Sequence, residues 1–135
     1  MSYLKFERAQ MINLQESLQK EILRTNRSGA YSCSTVVDCN TRKYHGLLVV
    51  PVPELDDDNH VLLSSLDCSV IQHGAAFNLG LHKYHGDTFS PNGHKYILDF
   101  DCDKIPTTIY RVGGVVLKKE VVFQHYEDRV LIRYT

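Results

Sequence analysis

Gly113-Gly114 stands between two runs of β-branched and aromatic residues, Thr107 to Val112 and Val115 to His125. Two residues is the spacing of a tight hairpin, whose primed turns need positive φ at both central positions, and glycine adopts that backbone without steric cost. His73-Gly74 repeats the arrangement between Cys68 to Gln72 and Ala75 to Leu81. Further runs of strand character lie at Leu18 to Arg24, Gly29 to Val37, Tyr44 to Val52, His60 to Leu66, Tyr96 to Cys102 and Val130 to Tyr134. Pro51, Pro53 and the polar run Asp56 to Asn59 mark one loop, and Gly86 to Gly93 with Pro91 marks another. Many short strands punctuated by turns predict an all-β fold, an antiparallel β-sandwich. One competing signal lies between Phe6 and Lys20, where Met11, Leu14 and Leu18 fall at helical spacing while Ile12 pulls toward extended chain; it predicts one short N-terminal helix.

The chain of 135 residues can bury one core, which predicts a single domain over residues 1–135. A hydrophobic fraction of 43% against 23% charged residues belongs to a folded domain, not a disordered one. Fifteen Lys and Arg are scattered and matched by sixteen acids, leaving a net charge of −1. That balance lacks the electrostatic footprint of a nucleic-acid binder, whereas a neutral polysaccharide would require none. Lys5, Glu7 and Arg8 occupy the place where a signal peptide needs an apolar core, and no apolar run reaches membrane-spanning length, so a cytoplasmic protein without membrane contact is expected. Cys33, Cys39, Cys68 and Cys102 form no C-x-x-C pair and are expected to be reduced thiols packed as small hydrophobes.

Chemistry concentrates between Thr25 and Val50. Asn40, Thr41, Arg42, Lys43, Tyr44 and His45 set donors, acceptors, cations and two aromatic rings in consecutive positions, far more than a plain turn needs. The stretch resembles the N-terminal domain of bacterial and archaeal glycogen debranching enzymes of the amylo-α-1,6-glucosidase type. The resemblance rests on Thr25-Asn26, Gly29, Tyr31, Thr35 and above all on Asn40 to Val49. It continues through His60 to Ser64 and Thr107 to Leu117, covering roughly Glu21 to the last residue. The chain departs from the family in the loop after Asn26, where Arg27, Ser28 and Ala30 stand in place of glycines.

The resemblance sharpens the fold to the supersandwich found at the front of glucoamylase-type enzymes. It implies that the hydrolytic acids lie in a separate (α/α)6 barrel, C-terminal to the sandwich, so that this chain is itself inactive and needs no cofactor. The implied partners are that barrel and an α-glucan such as glycogen or limit dextrin. Arg129 to Thr135 alternates as a strand and then stops, which predicts a truncated piece of a larger enzyme and, through exposed strand edges, a homo-oligomer.

Within the chain itself the catalytic candidates are few. Glycoside hydrolysis needs two carboxyl groups flanking the bond. Asp99, Asp101 and Asp103 alternate on a strand and would share one face, which reads either as a small catalytic or cation-holding cluster or as a solvated strand face. Seven histidines, with His82 and His85 three apart, have no carboxylate or thiol at recognised zinc spacing, so no metal site is expected. No G-x-S-x-G elbow, P-loop or dinucleotide fingerprint occurs.

The remaining candidates form a sugar-binding set: Asn26, Tyr31, Asn40, Arg42, Tyr44 and His45. Amide and guanidinium groups suit sugar hydroxyls, and aromatic faces suit the apolar side of the ring. The same residues could instead tie loops together, or shape the rim of a cleft shared with the barrel. A stand-alone α-glucan-binding or assembly module is the alternative to a debranching-enzyme domain.

Overall fold

The computed structural model describes residues 4–135, and antiparallel strands dominate it. In chain order the elements are β1 (Leu4–Glu7), α1 (Arg8–Ile12), α2 (Leu14–Ser17), β2 (Glu21–Thr25), β3 (Tyr31–Thr35), β4 (Gly46–Pro51) and β5 (Asn59–Leu63). They continue through β6 (Ser69–Gln72), β7 (Ala75–Asn78), β8 (His82–Tyr84), β9 (Thr88–Ser90), a 3-10 turn (Gly93–Tyr96), β10 (Ile97–Cys102), β11 (Pro106–Val112), β12 (Val115–Phe123) and β13 (Val130–Tyr134). One sheet has the order β1-β10-β11-β12-β13 and a second β2-β3-β4-β5, with β6-β7 and β8-β9 as separate hairpins.

Both two-residue turns take the expected form. Gly113 and Gly114 have φ of 55° and 83° and join Val112 to its cross-strand partner Val115. His73 and Gly74, at 50° and 79°, do the same for Gln72 and Ala75. The N-terminal segment departs from expectation. Instead of one helix it holds two, divided at Asn13, whose ψ of 98° is extended. Ahead of them Leu4–Glu7 pairs with β10, its inward Leu4 and Phe6 alternating with Lys5 and Glu7 in a run too short for periodicity to reveal. The stretch read as a Gly86 to Gly93 loop contains β9, which pairs with β8.

The two larger sheets face each other across the core. Phe100, Cys102, Tyr110, Val112 and Leu117 from the five-stranded sheet meet Ile22, Val36 and Val37, with Met11 and Leu81 closing the end. A smaller cluster of Ala30, Val50 and Phe123 joins the sheets elsewhere. Between them lies a cavity of about 70 Å³ lined by Ile22, Ser34, Thr108, Tyr110 and Lys119 among others. The buried Lys119 reaches Asp38 there, Nζ to Oδ2 at 2.5 Å. Burial alone would lower the Lys119 pKa, but the Asp38 carboxylate more than offsets that and raises it.

All four cysteines are free thiols, Cys39 and Cys102 buried and the other two half-buried. Asp99 and Asp101 lie on the face of β10 opposite Phe100 and Cys102, whereas Asp103 falls past the strand end. Asp99 approaches Lys5 at 3.9 Å. No described helix is long and apolar enough to cross a membrane.

Candidate functional site

Alternation in β2 sends Ile22 and Arg24 toward the inter-sheet cavity and Glu21, Leu23 and Thr25 to the opposite face. Register places Cys33 beside Leu23 and Tyr31 beside Thr25, so those five side chains form one patch. The β2–β3 turn adds Arg27, Gly29 and Ala30, and the loop before β4 adds Arg42, Lys43, Tyr44 and His45. Together they line an open concavity of about 570 Å³ on the outer face of the four-stranded sheet, within the size range of small-ligand sites.

The loop that brings Arg42 to His45 over the sheet is built from its own polar side chains. Thr35 Oγ1 accepts from Cys39 N–H at 3.0 Å and donates to the Cys39 carbonyl at 2.8 Å, closing the turn after β3. Asn40 is the next strut: its Oδ1 accepts from Ser34 Oγ and its Nδ2 donates to the Ser64 carbonyl, each at 2.7 Å. Backbone N–H groups of Thr41 and Arg42 then donate to His45 Nδ1 at 3.0 and 3.3 Å. With its lone pair so occupied, Nδ1 carries no proton, and the proton sits on Nε2, which donates to Glu21 Oε1 at 3.0 Å. Gly46 follows because a Cβ there would stand 2.8 Å from Val49 Cγ2 and 2.9 Å from Val61 Cγ1.

Arg42 Nη1 reaches both oxygens of Glu21 at 3.3 Å while most of its side chain stays in solvent. Tyr31 donates its hydroxyl to the Tyr44 carbonyl at 3.2 Å. Burial, then the neighbouring Cys33, push the Tyr31 hydroxyl pKa up, so it remains a neutral donor. Tyr44 is half exposed, with Lys43 Nζ 5.2 Å from its ring centroid.

Of the six expected site residues, the fold gathers Tyr31, Arg42, Tyr44 and His45 around the concavity. Asn40 instead lines the inter-sheet cavity. Asn26 is fully buried: Nδ2 donates to the Glu127 carbonyl and to Asp128, while Oδ1 accepts from the N–H groups of Ser28 and Ala30. Seven further lining residues, Glu21, Leu23, Thr25, Arg27, Gly29, Ala30 and Cys33, lie outside the Asn40 to His45 run. The hairpin register of β2 and β3 is the signal that could have found four of them, Glu21, Leu23, Thr25 and Cys33.

Glu21, Cys33 and His45 present ligand atoms within 4.8 Å of one another, a cluster that spacing along the chain does not reveal. Its bonding works against a cation. With Nδ1 already filled by two N–H donors, His45 could ligate through Nε2 only as an imidazolate. Burial, reinforced by Glu21 and opposed by Arg42, pushes the Cys33 thiol up, away from both thiolate ligation and nucleophilic attack. His45 and Glu21 therefore form a hydrogen-bonded wall with the Cys33 thiol beside it.

A family described as glycogen debranching enzyme N terminal matches residues 20–135. No curated protein and no solved structure matches the chain.

Proposed function

Because the chain belongs to the glycogen debranching enzyme N-terminal family, we propose that it is the non-catalytic front domain of such an enzyme. In this reading the α-1,6-linked glucose at a trimmed branch point is hydrolysed by carboxylates of a helical barrel elsewhere in the polypeptide. The outer concavity of this domain meets the glucan, with Tyr44 and Tyr31 under a sugar ring and Arg42 reaching its hydroxyls.

The observation that carries this reading is the composition of the concavity. Hydrolysis of a glycosidic bond needs two carboxyl groups on either side of it. Among the residues that line the concavity Glu21 is the one carboxylate, and both its oxygens already accept bonds from Arg42 or His45. Asp99 and Asp101 lie on the other sheet and are no part of it.

Incubating the purified chain with limit dextrin and measuring free glucose tests the non-catalytic role, and none is expected. Glucose release by the chain alone would sink it. Calorimetric titration with maltooligosaccharides tests the contact: weak binding, lost in Tyr44→Ala without unfolding, is expected. Saturable binding with high affinity and no effect of any barrel would favour a stand-alone glucan-binding module.

A further inference from the structure

The concavity is cationic as well as aromatic. Arg27, Arg42 and Lys43 line it against the single carboxylate of Glu21. Arg42 commits only Nη1 to that carboxylate, and most of its side chain is exposed. Lys43 touches the Tyr44 ring and has no ion-pair partner among the described residues. Arg27 likewise has neither an ion pair nor a side-chain hydrogen bond among them.

Arg27 is also held in an unusual backbone. Its φ of 67° is left-handed, a region that a side chain with a Cβ rarely takes. Asn26 supports that conformation: its Oδ1 accepts from Ser28 N–H at 2.9 Å and Ala30 N–H at 3.1 Å, both just beyond Arg27 in the chain. The same side chain is anchored by Nδ2 to the Glu127 carbonyl at 3.0 Å, and Tyr126 N–H binds the Asn26 carbonyl at 2.6 Å. The loop is thus fixed from both sides with a cation at its tip. Strain of this kind persists where surrounding contacts over-determine the backbone, and here those contacts hold a cation at the loop tip.

A neutral glucan has no use for three cations. Their demand is an oxyanion with several acceptors, which guanidinium forks bind through paired, charge-assisted hydrogen bonds. Beside them the two tyrosines supply a surface for the apolar face of a hexose. From this we infer that the concavity binds a phosphorylated glucose unit, its phosphate between Arg27, Arg42 and Lys43 and its ring against Tyr44. The inference rests on the reading of the concavity as a glucose site and adds the phosphate to it. The shared chemistry is a phosphate monoester on glucose, whether free or carried on an α-glucan chain.

The test is titration of the whole chain, followed by two-dimensional amide NMR, with maltose, glucose 6-phosphate and a maltooligosaccharide bearing a phosphate ester. Phosphorylated sugar should bind about tenfold or more tightly than maltose, as expected for a charge-assisted contact, with the preference shrinking as salt is raised. The tighter of the two phosphorylated probes identifies the source. Arg27→Gly removes the cation where glycine suits the backbone, so the fold is retained; it should abolish the preference for the phosphorylated probes. Equal affinity for maltose and both phosphorylated probes, or a preference that survives both Arg27→Gly and Lys43→Gln, overturns the phosphate site while leaving the glucan contact standing. Binding of phosphorylated probes with no response to maltose at any concentration upholds the phosphate site and removes the neutral-glucan reading. No response to any probe overturns both.

Discussion

His45 Nε2 lies 3.0 Å from Glu21 Oε1, a bond that ties the first residue of β2 to the last residue before β4. The His45 side chain is almost wholly buried, so its ring is held by the backbone on one nitrogen and by one carboxylate on the other.

Removing that carboxylate strands a buried donor. Glu21→Ala should cost about 1–3 kcal/mol, the penalty of an unsatisfied buried polar group, whereas Glu21→Gln keeps an acceptor and should cost under about 1 kcal/mol. Urea denaturation of both variants checks the ordering. Equal losses would mean that the charge, not the hydrogen bond, secures the loop.

Asn26 and Arg42 should separate support from contact. Asn26→Ala leaves two N–H donors and two acceptors without their partner inside the protein and should cost about 2–4 kcal/mol. Arg42→Ala removes a largely exposed ion pair and should change stability by less than about 1 kcal/mol while weakening sugar binding. Thermal melts paired with maltooligosaccharide titrations read both quantities. Arg42→Ala binding as tightly as the parent would take Arg42 out of the site.

Lys119 and Asp38 form an asymmetric pair, Lys119 buried and Asp38 half in solvent. Asp38→Ala leaves a buried ammonium uncompensated. Its cost should be about 2–3 kcal/mol, below the full value for a buried pair because solvent already screens the carboxylate. Lys119→Met lets Asp38 hydrate and should cost under about 1.5 kcal/mol. Chemical denaturation giving the reverse order would show that the buried ammonium does not depend on Asp38.

His94 gives the fold a pH dependence. Burial, and secondarily Lys95, lower its pKa below the usual value of 6.5, and its Nδ1 has no hydrogen-bond partner. As pH falls through 6.5 the unfolded chain takes up a proton that folded His94 still refuses, so the unfolded state binds more protons and stability falls. The loss grows until the lowered folded pKa is reached. Urea midpoints between about pH 7.5 and about pH 5.5 should therefore decline, and His94→Phe should decline less. Parallel slopes for parent and variant would place the titrating group elsewhere.

Much of the fold was legible because strands and tight turns are local. Gly113-Gly114 and His73-Gly74 carry their own backbone preference, and the β-rich runs that flank them pair in the register that a two-residue loop imposes. The N-terminal segment was less legible, since four residues of alternation in Leu4–Glu7 cannot outweigh helical spacing next door. Of the site, the Arg42 to His45 segment stood out because its chemistry is contiguous. Asn26 and Asn40 could not be told from ligand-binding amides, because a capping amide and a binding amide are the same group until their partners are known.

Residue chemistry read locally was enough for an antiparallel β fold, the places where it turns, its family, and the donors, cations and rings of one loop. Tertiary structure alone decided that Glu21 and Cys33 stand beside His45, that Arg27 joins Arg42 across a gap in the chain, and that Asn26 faces inward to Glu127 and Asp128. The reason is physical. Propensity and turn geometry act over a few neighbouring residues, whereas sheet register and the closing hydrogen bonds of a loop join residues far apart in the chain, and only the folded backbone sets which of them meet.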